Sequence, residues 1–454
     1  MNKVIVAPSG GGLPAAIGIV RLSGADTFSV LDRIFKAKCR KNAAGRQKNR
    51  LYYGTLLAQN GKTLDLCMAV CFHAPNSYTG EDMAELYCHG SSAVVSAAID
   101  SAIDAGARFA EPGEFTRRAF LNGKLDLTQA EATADLIHST SLLAAQAAAS
   151  QLSGSVRGEI TRLRGQLSGL LAHFYAVCDY SDEDIEPFEY QNAADTLQDV
   201  ALRLRALKDG YERGSAIKNG IPVAVIGRPN AGKSSLFNAL AGFDRAIVTS
   251  EAGTTRDVIE EQINLSGALF RLLDTAGIRQ AEGLAESMGI ERSRSAAKDA
   301  KAVICVFDGS QTLTEEDYDA LSLVPENIPG CAVINKLDLG INSETEQKLK
   351  ELNIANIFTI SAKTGEGLEA LTKWLTELIP SAEGVLITSP RQASLLSSAA
   401  DACALARQSA LEGLTADAFL SDAERALNDL GKITGDTAQA DIAGEIFSRF
   451  CVGK

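Results

Sequence analysis

The chain has 454 residues, of which 46% are hydrophobic and 22% charged, the balance of a globular protein rather than a disordered or fibrous one. Its 44 basic and 57 acidic side chains leave a formal charge of −13, which excludes coating nucleic acid by overall charge and leaves that task to a local basic patch or a partner. Nine scattered cysteines, an odd number with no signal peptide before them, argue against a disulfide framework and for a cytoplasmic protein, and no apolar run approaches the roughly 20 residues that span a bilayer.

At roughly 100–200 residues per domain, this length predicts two to four domains. Residues 1–120 mix short β-like runs with Gly and Pro turns. Strands are expected over 4–6, 17–22, 51–57 and 68–72 and a helix over 94–105, which makes an α+β domain. Cys67, Cys71 and His73 have the residue types of a metal site, but no second ligand pair stands near them, so they are read as buried thiols along a strand. From about Leu127 the chain turns rich in Ala, Leu, Gln, Glu and Arg. Apolar residues at helical spacing predict long helices over 130–150, 156–177 and 193–207. The acidic run at 182–187 between them reads as a solvated loop. Residues 121–217 are therefore the first part of a helical domain.

Near Ile221 the pattern becomes strand, Gly-rich loop, helix, repeated to about residue 381, which predicts an α/β parallel sheet over 218–381. Residues 382–454 return to helical periodicity. The expected architecture is multidomain: an α+β N-terminal domain, an all-α helical domain built from both flanks, and an inserted α/β domain that the strand at 221–226, the loop Gly227–Gly232 with Lys233 and Ser234, and the following helix mark as a Ras-like P-loop GTPase domain. Insertions of this kind join at close-lying ends.

The inserted domain carries the chemistry. An apolar strand at 221–226 runs into Gly227, Arg228, Pro229, Asn230, Ala231, Gly232, Lys233 and Ser234, followed by a helix with Ser235 in its first turn. In this order the glycines turn backbone N–H groups toward phosphate oxygens, Lys233 reaches the β- and γ-phosphates, and Ser234 offers a hydroxyl to Mg²⁺. Asp274, Thr275, Ala276 and Gly277 follow a second strand, where a carboxylate supports magnesium and a glycine senses the γ-phosphate. Asn335, Lys336 and Asp338 follow a third. The Asp338 carboxylate can accept both N–H groups of the guanine edge, a donor pair that adenine lacks. Ser361, Ala362 and Lys363 follow a fourth strand and place a backbone N–H at the guanine carbonyl. Between the phosphate loop and Asp274 lie Thr249, Ser250, Glu251, Ala252, Gly253, Thr254, Thr255, Arg256 and Asp257, a segment expected to close over magnesium when GTP is bound. GTP is thus the expected substrate and hydrolysis the expected reaction.

Ile278 stands where Ras-type enzymes place the glutamine that orients water. An arginine finger, with Arg256 and Arg279 as candidates by position, or a metal cation held by Asn230 can supply the missing charge.

The whole chain resembles the MnmE (TrmE) family of tRNA-modification GTPases. The resemblance rests on the phosphate loop with Asn230, on residues 253–257 and 274–277, on Asn76-Ser-Tyr-Thr-Gly-Glu-Asp-Met-Ala-Glu-Leu86, on Pro112-Gly-Glu-Phe115, on Ala119-Phe-Leu-Asn-Gly-Lys-Leu-Asp126, and on the C-terminal Phe450-Cys451-Val452-Gly453-Lys454. The family's terminus reads Cys-Ile-Gly-Lys, so Val452 is a conservative departure.

The resemblance implies a homodimer formed through the N-terminal domains, which bind a formyl-tetrahydrofolate as one-carbon source. Arg21, Glu85, Lys124 and Lys454 match the folate contacts; taken alone, Arg21, Glu85 and Lys124 read as surface charges. It implies K⁺ in place of an arginine finger, held by Asn230 and the 249–254 loop (Thr249, Glu251 and Thr254), with Ser234 and Thr255 on magnesium. Glu286 matches the family's water-positioning acid, and Cys451 a cysteine in the modification chemistry, activated if a cation such as Lys454 lies near. The implied partner is flavin- and NADH-dependent, and the implied product an aminomethyl-type group at carbon 5 of the wobble uridine of certain tRNAs. A ribosome-assembly GTPase would explain the nucleotide motifs but not the N-terminal ones or Cys451. A scaffold with vestigial hydrolysis fits poorly with intact Lys233, Ser234, Asp274 and Asp338.

Overall fold

The computed structural model describes residues 3–39, 42–179, 186–243, 260–274, 296–325, 327–352, 354–413, 415–437, 446–447, 450 and 453. The chain divides into two compact units. One comprises residues 1–134, 151–205 and 394–454, the other residues 135–150 and 206–393.

The first unit holds a seven-stranded sheet built from β1 (Ile5–Pro8), β2 (Ala15–Ser23), β3 (Phe35–Ala37), β4 (Tyr52–Leu57), β5 (Thr63–Phe72), β6 (Met83–Gly90) and β7 (Arg108–Phe109). The order is β3-β4-β5-β6-β2-β1-β7, with β1 and β7 parallel and the other pairs antiparallel. Helices Thr27–Ile34 and Ser92–Asp104 belong to the core on one face, where Val20, Leu22, Leu31, Phe35, Leu56, Leu86 and Ile99 are buried. Strand side chains alternate between faces, and the other face leaves Ile17, Tyr53, Leu66 and Met68 exposed. Met68 pairs with both Tyr53 and Tyr87, and Tyr87 with Ile19, so this apolar row crosses four strands. The four strands expected in this domain overlap β1, β2, β4 and β5. Cys67 and Cys71 are buried on β5, and burial pushes the Cys67 thiol up to about 12 and raises that of Cys71. Both are core thiols, as read from the sequence.

Helix Ser155–Asp179 buries Val156, Ile160, Leu163, Leu167, Leu171 and Phe174, a three-to-four spacing that forms one apolar stripe. It packs on helix Ala416–Thr434, where Phe419 meets Phe174 with ring centroids 5.6 Å apart. The single helix expected over 130–150 is instead two, Leu127–His138 and Leu142–Leu152. Ser139 Oγ donates back to Leu136 O, and Ser141 Oγ accepts the Ala144 N–H as a cap. The freed Thr140 carbonyl and Leu143 N–H are taken by Asn264 and Gly267.

The second unit holds a six-stranded sheet of β8 (Ile221–Ile226), β9 (Glu260–Leu265), β10 (Ala268–Asp274), β11 (Ala302–Asp308), β12 (Gly330–Asn335) and β13 (Ile357–Thr359), in the order β13-β12-β11-β8-β10-β9. All pairs are parallel except β9 with β10, which are joined at Ser266 and Gly267, both at positive φ as a tight hairpin turn requires. β11 is buried along its whole length, as a parallel strand covered on both faces must be. The strand order reverses at β8, so its carboxyl end opens a crevice at the topological switch point. Among the described residues, no helix is long and apolar enough to cross a membrane.

Candidate guanine nucleotide site

The phosphate loop leaves β8 at Gly227 and enters helix Lys233–Phe243. Asn230 takes a left-handed φ of 61° and Gly232 a φ of 98°, which curl the loop around its own N–H groups. A Cβ on Gly232 would lie 2.2 Å from Asn335 Nδ2, so only glycine lets the loop approach β12 this closely. Lys233 is 5% exposed, and its Nζ donates to Gly227 O at 2.6 Å and Arg228 O at 2.8 Å. The ammonium therefore sits inside the loop's curl, where phosphate oxygens would be its counter-charge. Ser234 and Ser235 are exposed at the start of the helix. A hydroxyl and a helix N-terminus facing solvent suit Mg²⁺ and phosphate respectively.

Asn335, 2% exposed, ties three loops together. Its Nδ2 donates to Ala231 O at 3.1 Å, and its Oδ1 accepts the Ala362 N–H at 3.0 Å and the Lys336 N–H at 2.8 Å. One amide thereby fixes the phosphate loop against the loops that follow β12 and β13. Ser361, fully buried, donates its Oγ to Asp338 Oδ1 at 2.7 Å. Asp338 and Lys363 are themselves exposed, and the Ser361 hydroxyl sets the direction of the Asp338 carboxylate.

Sequence reasoning missed Asp308 at the end of β11. Lys336 Nζ donates to its Oδ2 at 2.7 Å, and Ser310 supplies an N–H and a hydroxyl to Oδ1. Burial works against the charge, yet these donors hold the Asp308 carboxyl below its ordinary value. Arg228 of the phosphate loop stands 3.9 Å from Asp308 and 3.6 Å from Asp317 and donates to Gln311 at 2.8 Å. Asp308 belongs to no motif. Its only sequence signal is an acidic residue ending a wholly apolar strand.

Asp274 ends β10 beside Val225. Thr249, Ser250, Glu251, Ala252, Gly253, Thr254, Thr255, Arg256, Asp257, Thr275, Ala276, Gly277, Ile278, Arg279 and Glu286 lie outside the described residues, as do Cys451 and Lys454.

In the N-terminal sheet, Arg21 and Glu85 face each other across β2 and β6, and Arg21 Nε donates to Glu85 Oε1 at 2.8 Å. Tyr87 Oη donates to Glu85 Oε2 at 2.6 Å, and burial together with that carboxylate pushes the Tyr87 hydroxyl up to about 12. The Gly453 carbonyl accepts Arg21 Nη1 at 3.3 Å and Ser9 Oγ at 3.1 Å. Lys124 is exposed and donates to Pro75 O at 3.0 Å. The motif residues Glu81 and Glu114 are joined with Arg118 and Arg108 in a carboxylate–guanidinium chain, Glu81–Arg118–Glu114–Arg108. Against the opposing effect of burial, the Arg108 guanidinium leads in holding Glu114 at about 2.

Comparison with known proteins places the chain. The model of the MnmE helical domain matches residues 127–451, and that of the GTP-binding protein TrmE N-terminus matches residues 4–124. The tRNA modification GTPase MnmE of Thermoanaerobacter sp. (strain X514) is 39% identical over 449 residues, 97% of each chain. That of Aquifex aeolicus is 40% identical over 444 residues, again 97% of each. That of Symbiobacterium thermophilum is 38% identical over 455 residues, the full length of both. With matches of this extent on top of a Ras-like strand order and an assembled phosphate loop, the chain belongs to the MnmE family of tRNA modification GTPases.

Proposed function

We propose that this protein is a K⁺-activated GTPase that, with a flavin-dependent partner, installs an aminomethyl or carboxymethylaminomethyl group at carbon 5 of the wobble uridine of certain tRNAs, from a tetrahydrofolate one-carbon donor. The observation that carries the nucleotide half is Asn335, which joins the phosphate loop to both base-reading loops through its amide. A site so joined positions GTP by its base and its phosphates together, and phosphoryl transfer to water depends chiefly on positioning and charge. In this reading Lys233 neutralises the β- and γ-phosphate oxygens, Asp338 reads the guanine edge, and Glu286 orients the attacking water. Ser234 and Thr255 hold magnesium. Asn230 with Thr249, Glu251 and Thr254 holds potassium, and these cations supply positive charge at the transferring phosphoryl group.

The potassium assignment predicts faster hydrolysis in KCl than in NaCl, with the difference abolished by Asn230→Ala. Equal wild-type rates in the two salts would remove it.

The N-terminal domain is assigned the folate and the dimer. The Arg21–Glu85 pair beside Tyr87 and the Gly453 carbonyl offers a cation for a glutamate tail and a carboxylate for a pterin edge. The apolar row from Met68 to Ile19 is a face of the kind a second copy covers. Arg21→Ala should weaken 5-formyl-tetrahydrofolate binding at least about tenfold and leave GTP affinity unchanged; an unaltered folate titration would refute the site.

The whole reading is tested by digesting tRNA from a strain lacking the gene and measuring its wobble nucleosides by mass spectrometry. The aminomethyl-type nucleosides should disappear and return with the wild-type gene but not with Cys451→Ser. An intact nucleoside profile would turn the case toward a ribosome-assembly GTPase.

A further inference from the structure

The chain is acidic, but its charge is unevenly placed. Residues 33–64 contain nine Lys and Arg and no Asp or Glu, +9 within a chain of −13. The stretch covers β3, β4 and the connection between them at one edge of the N-terminal sheet. Among its described cations, Arg46 is buried and spent inside the domain on Asp32 at 3.0 Å. Arg33, Lys36, Lys38, Lys48, Arg50 and Lys62 are exposed, and none of the ion pairs among the described residues involves them.

Of the aromatic residues in this stretch Phe35 is core, but Tyr52 and Tyr53 are not. Tyr53 is 42% exposed, and Lys38 Nζ lies 4.7 Å from the centre of its ring. Lys36 pairs with Thr55 across the ladder and lies on the same sheet face as Tyr53. Arg50 stands 5.8 Å over the Tyr52 ring. Edge strands often carry a lysine that blocks strand addition, but Lys48 and Arg50 lie off the strands. Cations free of carboxylates, interleaved with an exposed ring, match what a nucleic-acid backbone and an unstacked base require.

We infer that this edge of the N-terminal domain, centred on Lys36, Lys38, Tyr53 and Arg50, is a surface on which the protein itself grips its tRNA, the cations on phosphates and the Tyr53 ring against a base. The inference rests on tRNA being the substrate. It goes beyond that reading in assigning a grip on the RNA to this chain rather than to its partner alone.

The test is binding of the full-length protein, without partner or nucleotide, to unfractionated tRNA, followed by fluorescence anisotropy from 50 to 300 mM NaCl, roughly the range over which phosphate contacts are lost. The triple variant Lys36→Glu, Lys38→Glu, Arg50→Glu should weaken binding about tenfold or more at low salt and lower the salt slope by about two. Tyr53→Ala should weaken binding several-fold with the slope unchanged, because stacking releases no counterions. Both variants should keep the wild-type GTPase rate and melting temperature, which shows them folded. Wild-type protein without salt-dependent tRNA binding would overturn the inference, as would folded variants that bind like wild type. So would a triple variant that loses anionic phosphatidylserine vesicles while keeping tRNA. The nucleoside analysis described above stands apart from all of these outcomes, so the modification reading can survive when this one fails.

Discussion

Asp338→Asn should reduce GTP affinity by at least about a hundredfold, because one substitution removes an acceptor and aims a donor at the guanine edge. Guanine presents two N–H groups, and a carboxylate accepts both. An asparagine keeps one oxygen and turns its NH₂ toward the other donor. The Ser361 hydroxyl already fixes Oδ1 at 2.7 Å, so the side chain is not free to swing away from the clash. The same geometry predicts a gain for xanthosine triphosphate, whose second carbonyl can accept the new NH₂. Titration with a fluorescent guanine nucleotide and competition with the xanthine analogue measure both effects. Unchanged GTP affinity would refute the base assignment. Ser361→Ala should give a weaker version of the loss, since it removes the aim and leaves the carboxylate.

Gly232→Ala is expected to cost as much by a different route. The residue holds a φ of 98°, where an L side chain is strained, and its methyl would lie 2.2 Å from Asn335 Nδ2. To relieve the contact Asn335 must turn, and its bonds to Ala231 O, Ala362 N and Lys336 N then break together. Three loops lose their common tie, and Lys233 loses its place relative to Asp338. We expect nucleotide affinity to fall by about two orders of magnitude and stability by about 1–3 kcal/mol, the range for strain at a special backbone position. Combined with Asn335→Ala, the losses should be far from additive, since both act on one tie. Nucleotide titration and thermal melting of the two single variants and the double variant provide the check, and additive losses would refute the shared tie.

Much of the six-stranded sheet was legible because parallel strands buried on both faces are written as unbroken apolar runs. The expected strand at 221–226 and those placed before Asp274, Asn335 and Ser361 correspond to β8, β10, β12 and β13. The phosphate loop was legible for a chemical reason, since glycines before Lys and Ser have few other uses between a strand and a helix. What escaped was set by distant partners. Nothing in residues 139–141 forbids a helix outright; the break is completed by Asn264 and by the Gly267 carbonyl, more than a hundred residues further on. Asp308 was silent for the same reason, because its meaning lies in Lys336 and Arg228, which reach it only through the sheet. The partnership of Arg21 with Glu85 is a matter of strand register, which neither residue announces in the sequence.

The contacts of Gly453 bear on how the molecule is made. Its carbonyl is held by Ser9 and Arg21, and its α-carbon packs so closely that a Cβ there would lie 1.9 Å from Pro8 O. Phe447 and Phe450 likewise lie where any Cβ on Gly113 would strike them. The N-terminal domain leaves the ribosome first, yet part of its packing comes from residues more than 300 positions further along the chain. At about 5–20 residues per second, that domain waits on the order of tens of seconds for those residues. A chain stopped before Gly453 therefore leaves Arg21 without one of its partners, and the N-terminal domain is completed only after every strand of the six-stranded sheet has been made.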